Sequence, residues 1–103
     1  MMDRRRTPRF KTRFDTLFGA GSREGTGTLT EISYSGALVD QVSDRPEIGT
    51  QVKLYVFVKP VAPFEIVGHV ARHTETGFAL QYELFDADVQ RLVDDVSALV
   101  AAA

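Results

Sequence analysis

The feature that most constrains the fold is a succession of short segments in which apolar and polar residues alternate. Such alternation runs through residues 10–18, 27–33, 52–58, 64–73 and 78–82. A period of two is typical of strands that bury one face and expose the other. Turn-forming residues separate the segments at intervals of roughly 8 to 12 residues, which favours a small antiparallel barrel or sandwich.

A further short strand is predicted at residues 37–39, which makes six. The pattern then changes period, because apolar residues recur three and four positions apart near the end of the chain. This spacing predicts one helix over residues 87–100 that packs its apolar stripe against the sheet, with a dimer contact as the alternative. A length of 103 residues favours a single domain. We therefore expect a flexible basic arm at residues 1–9 and a β domain at residues 10–100.

Several chemistries are disfavoured by the composition. The chain has no cysteine, which rules out disulfides, thiol nucleophiles and Cys-type zinc sites. His69 and His73 lie four apart on a predicted strand, whereas a zinc-binding pair at this spacing needs a helix. No serine, histidine and acid spacing resembles that of a hydrolase. We therefore expect no catalytic residues, no metal and no enzymatic activity.

The apolar segments are too short for a membrane protein of the helical type. No run of about 18 apolar residues is present, so no membrane insertion is expected. The N-terminal charges are not followed by a hydrophobic segment, which predicts no Sec-type signal peptide. The lack of cysteine also fits a reducing compartment.

Positive charge is concentrated near the start of the chain. Residues 1–13 contain six Arg or Lys and one Asp, a local charge of +5. Residues 14–103 contain six Arg or Lys and thirteen Asp or Glu, a local charge of −7. Proteins that hold duplex DNA spread positive charge over a whole face. A short basic cluster beside an acidic body instead suits one small anion or one patch on a partner.

The basic arm holds four arginines within six residues, Arg4, Arg5, Arg6 and Arg9. A guanidinium group donates two parallel hydrogen bonds to a phosphate or to the edge of guanine. Its flat face also stacks on a base, which a lysine ammonium group does not do. The arm is therefore suited to a ligand that carries phosphates and purine edges.

A second polar group ends the second predicted strand. Strict alternation places Glu31 and Ser33 on one face, together with Leu29. A carboxylate there can accept hydrogen bonds from a purine edge, and the hydroxyl can donate to a phosphate or close the turn. Gly36 follows in that turn, where glycine is free to take a positive φ angle. Gly68, in the middle of the fifth strand, predicts a bulge or a sharp coil.

These residues resemble the signature of the PilZ domain, a bacterial receptor module for the second messenger cyclic di-GMP. The family shows Arg-x-x-x-Arg before its first strand, matched here by Arg5 and Arg9. It shows Asp/Asn-x-Ser-x-x-Gly at the end of its second strand, where this chain has residues 31–36. A later Gly-x-Val-x-Arg strand and an apolar strand led by glycine correspond to residues 68–72 and 77–82.

The resemblance implies a mainly β fold, a six-stranded antiparallel split barrel with one C-terminal helix. It implies a location in the bacterial cytoplasm, no catalysis and no cofactor, with cyclic di-GMP as the ligand and an unidentified downstream protein as a partner. The basic arm would order over the ligand and hold it against the barrel, and Arg72 could line the same surface. The residues that the resemblance assigns to ligand binding are Arg4, Arg5, Arg9, Glu31, Ser33 and Gly36.

Two alternatives stay open on the sequence alone. Glu31 stands where the family has Asp or Asn, and its side chain is longer than that of Asp by one methylene. The chain could therefore be a PilZ-like protein-interaction module that no longer binds cyclic di-GMP. The other alternative is a small barrel that binds single-stranded RNA or DNA. The acidic body disfavours it, as does the absence of an aromatic strip interleaved with Lys and Arg.

Overall fold

The computed structural model describes residues 9–57 and 64–82 and, near the C-terminus, residues 91, 93–95 and 98. The six predicted strands are present within these residues. They are β1 (Arg9–Ala20), β2 (Arg23–Ser33), β3 (Gly36–Asp40), β4 (Gln51–Phe57), β5 (Phe64–His73) and β6 (Phe78–Tyr82). The described C-terminal residues are helical. The rest of the predicted helix and most of the predicted arm lie outside the described residues.

The strands form a closed antiparallel barrel in the order β1-β2-β3-β6-β5-β4. This arrangement confirms the barrel and decides against a sandwich. β1 closes the barrel because its 12 residues pair with β2 from one end to the other and also with β4 through residues 15–19. Each of the six described strands thus has a neighbour on both sides.

The core consists of the inward-facing residues of the strands, as the alternation predicts. The Phe18 and Phe78 rings meet edge to face with their centroids 5.3 Å apart, a geometry that contributes about 0.5–1.5 kcal/mol beyond burial. Val93 of the C-terminal helix is buried in the same cluster, so this residue of the apolar stripe packs against the barrel. No helix formed by the described residues has the length and apolar content needed to cross a bilayer.

Three β-bulges interrupt the regular pairing of the strands. They fall within residues 11–14 of β1, 29–31 of β2 and 70–72 of β5. A bulge adds one residue to one strand of a pair and so reverses the alternation beyond it. Two of these bulges set which side chains reach the outer surface near the polar end of β2.

The bulge in β2 corrects the predicted faces of that strand. Leu29 and Ile32 are both fully buried, although they lie three residues apart. Strict alternation predicts that Leu29 shares a face with Glu31 and Ser33, and this expectation is wrong. The extra residue between Leu29 and Glu31 turns the carboxylate to the outside of the barrel, where it is partly exposed.

Gly68 does not form the bulge that its position predicts. It pairs regularly with Val52 of β4 and with Tyr82 of β6, and the bulge in β5 lies further on, within residues 70–72. A Cβ atom at Gly68 would lie 2.3 Å from the carbonyl oxygen of Gln81. The close approach of two strands, rather than a bend, therefore requires glycine here.

Candidate functional site

A surface cleft of about 240 Å³ lies on the outside of the barrel at the start of β1 and the end of β2. It contains four of the six predicted ligand-binding residues. Arg4 and Arg5, the other two, lie outside the described residues. The residues that line the cleft are Arg9, Glu31, Ser33, Ser35, Gly36, Ala37, Leu38, Arg72, Ala79, Leu80 and Gln81.

The pairing of β1 with β2 brings the basic and acidic positions together. Arg9 lies opposite Ser33 in the ladder, and Glu31 lies opposite Lys11. The Nη1 atom of Arg9 is 3.6 Å from the Oε2 atom of Glu31, and the two side chains are 47% and 22% exposed. An ion pair with this exposure contributes less than about 1 kcal/mol. The pair therefore orients the two side chains without locking them together.

The Ser33 hydroxyl closes the turn between β2 and β3. Its Oγ atom accepts hydrogen bonds from the backbone N–H groups of Gly36, at 3.2 Å, and Ser35, at 3.3 Å. The same hydroxyl donates to the carbonyl oxygen of Gly36 at 3.3 Å. A buried serine that bonds to the backbone two and three residues ahead fixes the shape of the turn. Ser33 thus shapes the floor of the cleft.

Gly36 is required for a reason other than the predicted one. The positive φ angles among the described residues are those of Gln41, Gly21 and Gly49, so Gly36 does not use the freedom that glycine has there. A Cβ atom at Gly36 would lie 2.4 Å from the carbonyl oxygen of Leu80. Glycine at this position lets β3 pack closely beside β6 under the cleft.

Tyr82 supports the turn from below, a role that the sequence analysis misses. Its buried hydroxyl lies within hydrogen-bonding distance of the carbonyl oxygens of Ser33, at 2.8 Å, and Gly36, at 3.0 Å. Burial raises the pKa of Tyr82 well above its usual value, so the hydroxyl stays protonated and remains a donor. The signal in the sequence is a tyrosine at an inward position of a strand, because such a hydroxyl has to find a partner.

Arg72 is a second arginine in the cleft, and the bulge in β5 puts it there. Val70 lies opposite the buried Leu80, and Arg72 lies opposite the outward-facing Ala79. Without the extra residue in β5, Arg72 would lie opposite the buried Phe78. Its position in Gly-x-Val-x-Arg was the available signal, but strict alternation alone would place it inside the barrel.

The turn above the cleft is also joined to the C-terminal helix. The hydroxyl of Tyr34, between β2 and β3, donates a hydrogen bond to the carboxylate of Asp94. This hydrogen bond, together with partial burial and the negative charge of Asp94, raises the pKa of Tyr34. The helix is therefore in contact with the segment that carries Ser33 and Gly36.

The cleft combines charged and neutral polar side chains. Its charged side chains are Arg9, Arg72 and Glu31, which sum to +1 at neutral pH. Ser35 and Gln81 add a hydroxyl and an amide that are open to solvent. The described residues contain no group of three or more His, Cys, Asp or Glu side chains placed to hold a metal ion. The arrangement suits an anionic ligand with flat, hydrogen-bonding edges.

The fold is shared with solved bacterial structures. The inhibitor of motility MotI/DgrA from Bacillus subtilis superposes with a TM-score of 0.72 at 19% identity, covering 90% of this chain and 49% of that protein. The PilZ domain of CeSA from a cellulose-synthesizing bacterium superposes with a TM-score of 0.73 at 16% identity, covering 87% of this chain and 98% of that domain. The chain thus spans about half the length of the motility inhibitor.

The sequence comparison points the same way as the fold. No curated protein shows significant sequence similarity to the chain. The family profile described as PilZ domain, in contrast, matches residues 3–98, which is nearly the whole sequence. The matched part includes the arginine arm, the turn after β2 and the strand that carries Arg72. The chain therefore belongs to the PilZ domain family.

Proposed function

We propose that this protein is a non-enzymatic receptor for cyclic di-GMP that binds the dinucleotide in the cleft of Arg9, Glu31 and Arg72. The observation that carries the proposal is the meeting of two arginines and one carboxylate at the position of the family signature. Three strands supply them: β1, β2 and β5. Each of these three residues belongs to a different motif of the sequence, so their convergence in one cleft supports a common ligand.

The chemistry of the ligand fits these side chains. Cyclic di-GMP carries two phosphodiesters, with a charge of −2, and two guanine bases. Arg9 and Arg72 can each donate two parallel hydrogen bonds to a phosphate or to the O6 and N7 atoms of guanine. Glu31 can accept hydrogen bonds from the N1–H and amino groups of a guanine. A net charge of +1 in the lining favours a dianion over a neutral ligand.

The existing ion pair does not prevent binding. The exposed Arg9–Glu31 pair contributes less than about 1 kcal/mol. A hydrogen bond from an arginine to a charged phosphate contributes about 1.5–3 kcal/mol. A phosphate can therefore take over the Arg9 guanidinium and leave the Glu31 carboxylate available to a guanine.

The remaining predicted contacts belong to the arm. Arg4 and Arg5 precede β1, which begins at Arg9 beside the cleft. We infer that the arm closes over the bound dinucleotide and adds these two guanidinium groups to the site. The surface made by arm and ligand together would then be what a downstream protein recognises in the bacterial cytoplasm. The structurally similar motility inhibitor gives a precedent for a regulatory protein with this fold.

Titration calorimetry with cyclic di-GMP, cyclic di-AMP and GTP tests the proposal. We expect binding of cyclic di-GMP in the micromolar range and a preference over the other two nucleotides. Arg9→Ala and Arg72→Ala should each weaken binding by at least about tenfold, because each removes a charge-assisted contact. Arg23→Ala is the matched control, since Arg23 pairs with Asp44 at the opposite end of β1 and β2. Its affinity should equal that of the wild type.

The second candidate is a PilZ-like module that binds protein and no longer binds the dinucleotide. Glu31 favours it, because the longer carboxylate reaches Arg9 and pairs with it. The same titration separates the two functions. An absence of heat at tens of micromolar cyclic di-GMP would contradict the receptor and support the interaction module.

A further inference from the structure

Three large apolar side chains lie together on the outside of the barrel, away from the cleft. Leu17 of β1 is 47% exposed, and Tyr55 and Phe57 of β4 are 38% and 36% exposed. Leu17 lies directly opposite Tyr55 in the ladder, and Phe57 lies opposite Asp15, two residues before Leu17. We call Leu17, Tyr55 and Phe57 the β1–β4 face. Single exposed apolar residues are common, but a contiguous group marks a contact surface.

The β1–β4 face has relief that could receive side chains of another molecule. A cleft of about 400 Å³ lies on the side of Tyr55, Gly19 and Lys53. A second cleft, of about 590 Å³, lies on the side of Phe57 and Thr28. Leu17 lines both. Tyrosine is among the residue types that dominate binding energy at protein interfaces, and such residues pair with pockets.

Carboxylates surround the β1–β4 face more closely than cations do. Asp15 lies opposite Phe57, and Glu65 lies opposite Tyr55, whose hydroxyl donates to Glu65 at 3.4 Å. Glu24 lines the first cleft. Among the described residues, the cations nearest along these two strands are Lys53, two residues before Tyr55, and Arg13, two residues before Asp15. Residues 14–103 carry a net charge of −7, so this part of the chain attracts positive and repels negative surfaces.

We propose that the β1–β4 face is the docking surface for a partner protein segment that presents apolar side chains flanked by Lys or Arg. The acidic surroundings favour this occupant over an anionic membrane, a nucleic acid or a second copy with the same acidic body. Leu17 lies eight positions after Arg9 on β1, which is at most roughly 26 Å at the rise of a strand. Partner and cleft ligand can therefore be held at the same time, and the proposal does not depend on which ligand the cleft binds.

A selection of short random peptides on the full chain tests the proposal. The enriched peptides should carry an aromatic or aliphatic residue flanked by Lys or Arg, and high salt should weaken their binding. An enriched peptide is then synthesised and its affinity is measured by fluorescence anisotropy. Leu17→Ser and Tyr55→Ser should each lower this affinity by about tenfold or more. Ile48→Ser is the matched control, because Ile48 is an isolated apolar residue that is 62% exposed. It should bind as the wild type does.

Charge reversal adds a readout that a purely structural effect would not give. Glu65→Lys should lower the affinity for the cationic peptide, and Lys53→Glu should raise it. The proposal is overturned if no peptide is enriched, if the enriched peptides are acidic, or if Leu17→Ser binds them like Ile48→Ser. It is also overturned if sedimentation shows a dimer of the chain that Leu17→Ser dissociates, because the occupant would then be a second copy. Thermal unfolding of each variant checks that the barrel is intact.

Discussion

Glu31 decides how open the cleft is to a ligand, because its carboxylate lies 3.6 Å from the guanidinium of Arg9. Shortening the side chain by one methylene, about 1.5 Å, in Glu31→Asp moves the carboxylate away from Arg9. The released guanidinium should bind a phosphate more readily. We expect calorimetry to show cyclic di-GMP binding tightened by up to about fivefold, the equivalent of an exposed ion pair. An unchanged affinity would show that side-chain length is not what limits binding.

Gly36 shows how a signature residue can be structural. In Gly36→Ala the new methyl group would meet the carbonyl oxygen of Leu80 at 2.4 Å. Because that oxygen belongs to the backbone of β6, the strands have to separate, and we expect a loss of about 1–3 kcal/mol in the free energy of unfolding. Gly19→Ala in β1 is the control, since a Cβ atom there meets nothing within 4 Å. Equal urea midpoints for the two variants would contradict this steric account.

At the scale of the elements, β6 supports the turn that connects β2 to β3. Tyr82 of β6 donates to the carbonyl oxygens of Ser33 and Gly36, which flank the turn between β2 and β3. Tyr82→Phe leaves those buried acceptors without their donor. We expect it to lower the free energy of unfolding by about 1–3 kcal/mol, measured in urea. A variant as stable as the wild type would mean that the hydroxyl does not support the turn.

Tyr82 also makes the free energy of unfolding depend on pH in the alkaline range. Burial raises the pKa of Tyr82, and the hydrogen bond to Asp94 raises that of Tyr34. An unfolded tyrosine has a pKa of about 10, so the folded state holds both protons more tightly. The associated stability is complete below about pH 10 and is lost as the pH rises further. Tyr82→Phe should lose less stability than the wild type as the pH rises from about 10 to 12, and an equal loss would contradict this assignment.

The elements also show where sequence patterns stop being informative. Alternation places Phe18 of β1 and Leu54 of β4 inside correctly, because both strands are regular in that region. It fails at Ile32 and Arg72, which lie beyond bulges. A bulge depends on how a strand meets its neighbour across the barrel, and that pairing is not encoded in the alternation of one strand. The partners of the Tyr82 hydroxyl, the carbonyl oxygens of Ser33 and Gly36, could not be predicted for the same reason, because they lie on other strands.

At the scale of the whole molecule, patterning predicts six strands but not their closure. The alternation leaves barrel and sandwich open, and the resemblance to the PilZ family selects the barrel. Physically, closure follows from β1, whose 12 residues pair with β2 on one side and with β4 on the other. The site benefits from this closure, because Arg9 and Arg72 lie 63 positions apart in the sequence and meet only once the barrel is formed.

The barrel also separates the two proposed binding sites along one strand. The start of β1 contributes Arg9 to the cleft, and its later residues contribute Leu17 to the β1–β4 face. A closed barrel is a stiff support for such surfaces, since each strand is paired on both sides. In our account, the cleft takes a small dianion and the β1–β4 face takes a cationic partner.

The most direct test is a nitrogen-15 NMR titration of the protein with cyclic di-GMP. Our account predicts saturable shifts of the backbone amides of Ser35, Gly36 and Gln81 and of the side-chain N–H groups of Arg9 and Arg72. The amides of Leu17 and Tyr55 should stay in place. Shifts confined to the β1–β4 face, or a spectrum that does not change at saturating dinucleotide, would contradict the assignment of the cleft as the cyclic di-GMP site.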